Sequence, residues 1–424
     1  MTNRSVTARP AAEIFFPLRP TLRLTGHSYT PDLLRRLVTL GGQLPSAELA
    51  ATAAGTVANI PICGRQLQRL VQEVGTDLAR LRDEQAVQRR RRTLAPRVAA
   101  APPVAVVEVD GGRLGTREPG VGPGVQQPQP KEDKIAFLLS MESATQLDDP
   151  QPEPPPAFRD HPRVARLVRQ IKAQTAPPAH EAPEPAAEPV AAADAPPDGP
   201  KPLQRLVRTC VASLHNSDTF GPLVAAEAQT RAFFAAPRQA FVGDGQQYNW
   251  SIQRAYFPHF EAIADFIHVL CYLYTAAWAV QPDTAAHWHQ YESWMTACWQ
   301  GRVAEVVREL ALWQERLGRP PPAAEPRDPR QLVQESLTYL RNNASRMDYP
   351  RYRCLGLPVT SSWVESLVGE FNARVKGWNK WYNRGAGAEA ILQVRAAVLS
   401  EDGRLARYFA EQPGNPYRRH RCSA

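Results

Sequence analysis

The sequence contains no CxxC pair and no Cys/His cluster; its six cysteines (Cys63, Cys210, Cys271, Cys298, Cys354 and Cys422) stand far apart. That spacing supports neither a disulfide scaffold nor a zinc site, and makes a reducing cytosol the natural compartment. Long apolar runs are missing too. The longest, Phe266 to Val280, includes His268 and stops at Gln281-Pro282, so it is too short to span a bilayer and reads as a buried helix. Met1 to Pro10 is polar without an apolar segment, and no secretory signal is expected. Charge is not extreme either. A formal net charge of +8 favours an anionic partner, but many proteins share it, so it points only weakly to nucleic acid. What is present is apolar material: 43% of 424 residues is hydrophobic, enough for at least one sizeable core and for two or three domains.

The first hundred residues read as helical. Pro31 to Leu40 forms a short amphipathic segment, and Ser46 caps a helix over Ala47 to Ala54 that ends at Gly55. Gly64 to Val74 forms a third, with Leu67, Leu70, Val71 and Val74 on one face and Arg65, Gln66 and Arg69 on the rest. Two short helices with the second carrying Arg and Gln suit a helix-turn-helix, although an ordinary helical hairpin has the same pattern. A further helix runs through Leu81 into Arg89-Arg90-Arg91-Arg92.

At Pro102-Pro103 the texture changes. Val104 to Val109 is β-branched and delivers Asp110 at its end, where Gly111-Gly112 is expected to turn the chain; Lys134 to Met141 reads as a second strand. Proline-rich stretches follow at Pro150 to Pro156 and at Ala176 to Pro202, where nine of 27 residues are Pro and five are acidic. The second is expected to be an extended linker, bounded at 173–202. Gln239 to Val242 is a short strand before Gly243-Asp244-Gly245, Gln247 to Tyr256 a helix, and Ala262 to Phe266 a buried strand ending near Asp265. A tryptophan-rich helical block begins at His268, Gln331 to Asn342 is another helix, and Ser361-Ser362 opens a helix carrying Glu365.

Two acids thus sit where strands meet glycines (VEVD-GG and FVGD-GQ), and a third begins a late helix. Three convergent carboxylates are what two Mg²⁺ ions require: hard oxygen ligands with open positions left for water and phosphate. Each acid also has an ordinary reading. An Asp-Gly pair after a strand makes a turn, and Glu365, three residues after Ser362, fits a capping box.

The residues around the acids carry a resemblance. VEVDGGR, FVGDGQQYNWSIQRAYFP followed by DFIH, and YLRNNASRMDYPRYRCLGLPVTSSWVESLVGEFNARVKGWNKW resemble the ISKra-four insertion-sequence family, within the Mutator-related group of DDE transposases. The resemblance spans most of residues 28–170 and 203–410, and TSSxVES is its most specific part. It implies Asp110, Asp244 and Glu365 as catalytic metal ligands, with two Mg²⁺ (or Mn²⁺) as cofactors. Asp265 and His268 in DFIH fit the Cys/Asp-x-x-His pattern that follows the second aspartate, a supporting role to which a core histidine is the alternative. The implied fold is mixed α/β. A helix-turn-helix-like domain (1–98) precedes a ribonuclease-H-like domain (99–424) whose helical insertion occupies 268–350. Basic residues among aromatics flank the acids. Arg346, Arg351 and Arg353 precede Glu365 and Arg374, Lys376 and Lys380 follow it; with Arg65, Gln66 and Arg69 they are the candidate DNA contacts, a solvated helix face being the alternative. The expected activity is nicking of element ends to expose 3′ hydroxyls, which then join target DNA. The partners would be double-stranded DNA (terminal inverted repeats and target) and further copies of the chain, in a bacterial cytoplasm at the nucleoid, with no membrane. The alternatives are a catalytically silent, domesticated DNA-binding protein and a nuclease that cuts without joining.

Overall fold

The computed structural model describes residues 29–120, 126–172, 175–176, 202–281, 283–377, 380–383 and 385–411, without the side chains of 126 and 362–368. The expected linker at 173–202 lies outside the described residues except at 175, 176 and 202. Contacts divide the chain into two units, Met1–Val71 with Gly403–Ala424, and Gln72–Asp402. The division falls within a helix, not at residue 98.

In the first unit, Pro31–Gln43 starts on Thr30, whose hydroxyl accepts from Leu33 N, and buries Leu34, Leu37 and Val38. Ser46 caps Ala47–Ala58 by accepting from Leu49 N at 3.1 Å. This helix continues past Gly55 and ends at Asn59, which takes the left-handed conformation at φ 53°, as Asn tolerates at a helix end. Gly41 allows close approach of the next helix, because a Cβ there would strike Val71. Leu67, Leu70 and Val71 are buried while Arg65 and Arg69 are exposed; Val74, also buried, belongs to the second unit. The helix Arg404–Glu411 contributes Leu405 and Phe409 and packs on Pro31–Gln43.

The helix expected to stop at Val74 instead runs unbroken from Gly64 to Arg90. Gly75 sits at a helix crossing and does not break it: a Cβ there would strike the backbone of Ala390 in the helix Gly385–Leu399.

The second unit is mixed α/β. Its main sheet comprises β1 (Val104–Leu114), β4 (Lys131–Glu142), β5 (Gln204–Ser213), β6 (Arg238–Gly243) and β7 (Glu261–Ala264). Their spatial order is β5-β4-β1-β6-β7. β4 runs antiparallel to both β1 and β5, whereas β1, β6 and β7 are parallel. β1 does not stop at Asp110: the ladder to β4 continues from Asp110↔Ile135 to Leu114↔Lys131. A small second sheet joins β2 (Thr116–Pro119), β3 (Gln126–Pro128) and β8 (Tyr382–Asn383). The strands' apolar runs form a core in which Val107, Val109, Leu138 and Phe241 meet Phe220, Trp250 and Phe257 from the helices Ser217–Thr230 and Gln247–Tyr256 and the turn after the second of these.

Between β7 and the helix Ser362–Val375 stand Phe266–Val280, Thr284–Trp299, Val303–Leu317 and Pro329–Asn343, with the short Tyr349–Cys354. Trp294 and Trp299 are fully buried, and Trp299 stacks edge-on against Phe158 and Phe266. The first proline-rich stretch is tied to this block, since Trp299 Nε1 donates to Gln151 O at 2.8 Å.

Candidate active site

The register sets Val109 beside Gly243, so Asp110 and Asp244 are the next residues along neighbouring parallel strands, roughly 5 Å apart at their backbones. Glycine gives this edge its room. A Cβ at Gly111 would come within 2.9 Å of the Tyr248 hydroxyl, and one at Gly112 would strike the Lys376 ammonium. Gly111-Gly112 therefore does not turn the chain; it lets two side chains reach the strand. Gly245 takes φ +95°, with the Tyr339 ring against its Cα.

Asp244 begins an Asx-type turn, its Oδ1 accepting from Gln246 N at 2.9 Å. It does more than turn the chain. Asn249, fully buried at the start of the helix Gln247–Tyr256, donates from Nδ2 to Asp244 Oδ1 at 2.7 Å and to Val109 O at 3.4 Å. One amide therefore braces the second acid against the strand that carries the first. Asp110 Oδ1 accepts from Gly111 N at 2.7 Å. Burial raises the Asp110 pKa and the like charge of Asp244 adds to it, against the opposing pull of the Gly111 hydrogen bond, His268 and Lys376.

Asp265 follows β7 and caps Phe266–Val280 by accepting from Ile267 N at 3.1 Å. Its other contacts leave the helix start. His268 Nδ1 lies 2.8 Å from Asp265 Oδ2, and Ser361 gives Asp265 both its backbone N–H (2.9 Å) and its hydroxyl (2.6 Å). Burial acts against both charges, but the partners prevail. His268 and Ser361 hold the Asp265 carboxyl below its usual range. The hydrogen bond to Asp265, with the charges of Asp265, Asp244 and Asp110, pushes His268 up to about 9. His268 is thus an imidazolium at neutral pH, within electrostatic reach of both strand-end acids.

Glu365 lies on the helix Ser362–Val375, and its side chain is outside the described residues. The N-cap of that helix is Ser361, not Ser362, which places Glu365 one position beyond the capping-box partner site. Among the described residues no group of three His, Cys, Asp or Glu converges as a metal cluster. The donor chemistry nevertheless suits a divalent cation. Two carboxylates repel one another on one edge, and Asp110 Oδ2 has no protein donor among the described residues. Hard oxygen donors in this state are what Mg²⁺ takes.

The candidate DNA contacts separate into two groups. Arg65 and Arg69 are exposed and Gln66 is half-buried on the first-unit part of their helix. The rest contact groups of the same chain: Arg353 and Arg374 are buried, Arg346, Lys376 and Lys380 half-buried, and Arg351 exposed. Arg353 is buried, paired bidentately with Asp149 at 2.7 and 2.5 Å, and lies over Trp299. Arg351 pairs with Glu261, and Arg346 lies over the Trp250 ring at 4.5 Å. Arg374 is buried beside Tyr382, Lys376 pairs with Asp133 at 3.3 Å, and Lys380 caps a helix end by donating to Ala373 O and Arg374 O.

Sequence reasoning missed Asn249, Ser361 and Asp133. Asn249 had a readable signal, since it lies within a turn of the helix that begins three residues after Asp244. Asp133 had none, because only the β1–β4 register brings it opposite Gly112. Among the described residues no helix is long and apolar enough to cross a membrane. Compared with protein-family models and with curated proteins, the sequence matches none.

Proposed function

We propose that this chain is a DDE transposase of an insertion sequence, with a ribonuclease-H-like catalytic core and a helical insertion, acting on double-stranded DNA as a homo-oligomer at the nucleoid. The observation that carries the reading is the placement of Asp110 and Asp244. Asp110 lies within β1 and Asp244 directly follows β6, its parallel neighbour, in a β5-β4-β1-β6-β7 sheet in which β4 alone runs antiparallel to the other strands. The helical block between β7 and the Glu365 helix fits the insertion such a core would carry.

Asp110, Asp244 and Glu365 would hold two Mg²⁺; when bound, such ions activate an attacking oxygen and stabilise the leaving one in displacement at phosphorus. The protein's own groups do the positioning. Asn249 and the Gly111 N–H hold the two strand-end carboxylates in one orientation. Asp265 fixes His268 through Nδ1, which leaves the opposite ring edge to meet a phosphate oxygen with a full positive charge. Exposed Arg65 and Arg69, with Gln66, are the element-end contacts of this reading.

The test is nicking and joining of an element-end duplex in Mg²⁺. Asp110→Asn, Asp244→Asn and Glu365→Gln are expected to lose both steps by several orders of magnitude. They should keep DNA binding, because removing negative charge beside phosphate lessens repulsion. Glu370→Gln is the control and stays active. If both Asp variants cut normally the reading fails; if Glu370→Gln is dead while Glu365→Gln works, the third carboxylate is misassigned. Cutting without joining would mark a nuclease, and binding alone a silent DNA-binding protein.

A further inference from the structure

We infer that two polar ties, Ser361 to Asp265 and Lys376 to Asp133, are positioning pairs that suspend the Glu365 helix across the edge bearing Asp110 and Asp244. This rests on the function proposed above and adds Ser361, Lys376 and Asp133, which that reading does not name.

The ties sit at opposite ends of the helix Ser362–Val375. Ser361, its N-cap, reaches Asp265 immediately after β7. Lys376, its C-cap, reaches Asp133 on β4, which pairs with Gly112 of β1. Asp265 follows the end of β7, whose Ala264 pairs with Gly243, so both anchors lie on the sheet edge that carries Asp110 and Asp244. In the sheet order, β1 and β6 lie between β4 and β7. A 14-residue helix is about 21 Å long, and three strand spacings are about 14 Å. The helix is long enough to bridge the anchors across β1 and β6, the strands that position Asp110 and Asp244, with Glu365 one turn from the Ser361 end.

Two local departures from ordinary helix chemistry support the assignment. A serine at an N-cap normally accepts from its own helix, yet Ser361 makes no side-chain cap and gives its hydroxyl to Asp265 instead. Asp133 is fully buried, and among the described residues Lys376 is the cation paired with it; its neighbour Gly112 has no Cβ because one would occupy the space of the Lys376 ammonium. A pair buried at Asp133 and reaching solvent at Lys376 contributes specificity of placement more readily than stability.

The experiment compares full-length wild type with Ser361→Ala and Ser361→Thr, using Mg²⁺ alone and then the element-end duplex. Ser361→Ala should need about 10- to 100-fold more Mg²⁺ for half of the Mg²⁺-induced rise in Tm, and its nicking kcat should fall by a similar factor. Kd for DNA and the metal-free Tm should stay near wild type, because the backbone N–H still binds Asp265. Ser361→Thr keeps the hydroxyl and should restore both readouts. Lys376→Met, which removes the other tie, should show the same Mg²⁺ shift. If Ser361→Ala takes Mg²⁺ and nicks like wild type, or loses metal-free Tm without a Mg²⁺ shift, the tie is not a positioning device. Should Asp110→Asn and Asp244→Asn remain active, the underlying function is wrong instead; if they are dead and Ser361→Ala is normal, only the present inference falls.

Discussion

Replacing His268 by Asn removes a cation while leaving a donor for Asp265, since the Asn Nδ2 can occupy the position of the imidazole Nδ1. In the folded protein His268 titrates at about 9 against an ordinary 6.5, because Asp265, Asp244 and Asp110 together outweigh burial. Its side chain is 25% exposed, so solvent screens the interaction only partly. A shift of this size corresponds to about 3 kcal/mol. The depressed carboxyl of Asp265 is the other side of the same contact and is not added. The raised pKa sets the sign: stabilisation is fully present below pH 6.5 and is lost as pH rises through about 9, declining by about 1.4 kcal/mol per pH unit between them. The assay is denaturant unfolding of metal-free wild type and His268→Asn between pH 5.5 and 10, followed by tryptophan fluorescence. The wild-type advantage should be level below pH 6.5, fall through the neutral range and flatten above 9, on top of any constant offset. An advantage independent of pH, or one that grows with pH, would refute the ion-pair account.

Arg353→Ala should lower stability by less than the ~3–5 kcal/mol of a fully buried broken pair, because it leaves Asp149 without its bidentate partner but 18% exposed and still bonded to Gln151 N. Measured at a temperature where the variant is folded, its DNA affinity should match wild type; a selective loss of affinity would return Arg353 to the DNA-contact set. Arg65→Ala and Arg69→Ala, both at exposed positions, should leave Tm within about 0.5 kcal/mol of wild type in free-energy terms. They should weaken binding to an element-end duplex more than to a scrambled one; equal weakening on both at several salt concentrations would mean charge attraction without sequence reading.

Local pattern was enough to place most elements. The runs Val104 to Val109 and Gln239 to Val242 are strands, Gln247 to Tyr256 is a helix with those bounds, and the apolar run Phe266 to Val280 is a buried helix. These are decided by side chains a few residues apart, where alternation or helical spacing is visible in the sequence itself. The adjacency of Asp110 and Asp244 was foreshadowed by two strand-end acids, but their pairing depends on β1 and β6 being neighbours, about 130 residues apart.

Elsewhere tertiary contacts decided what local signals left open. Gly111-Gly112 looked like a turn, but the β4 ladder carries β1 through to Leu114, and the missing Cβ atoms make space for Tyr248 and Lys376. The helix expected to end at Val74 runs on, and Gly75 just beyond it is a crossing point. Arg353, Lys376 and Lys380 have the composition of a solvent-facing basic patch, yet each is bound to an internal partner. Ser362 was the expected cap, but the N-cap is Ser361, whose hydroxyl goes to the Asp265 carboxylate 96 residues away. The physical reason is common to all four. Element type follows from the short-range backbone and apolar preferences of neighbouring residues, whereas a charge, a hydroxyl or an absent Cβ acquires its role from whatever group the register and the helix crossings bring against it. That group is seldom nearby in the sequence.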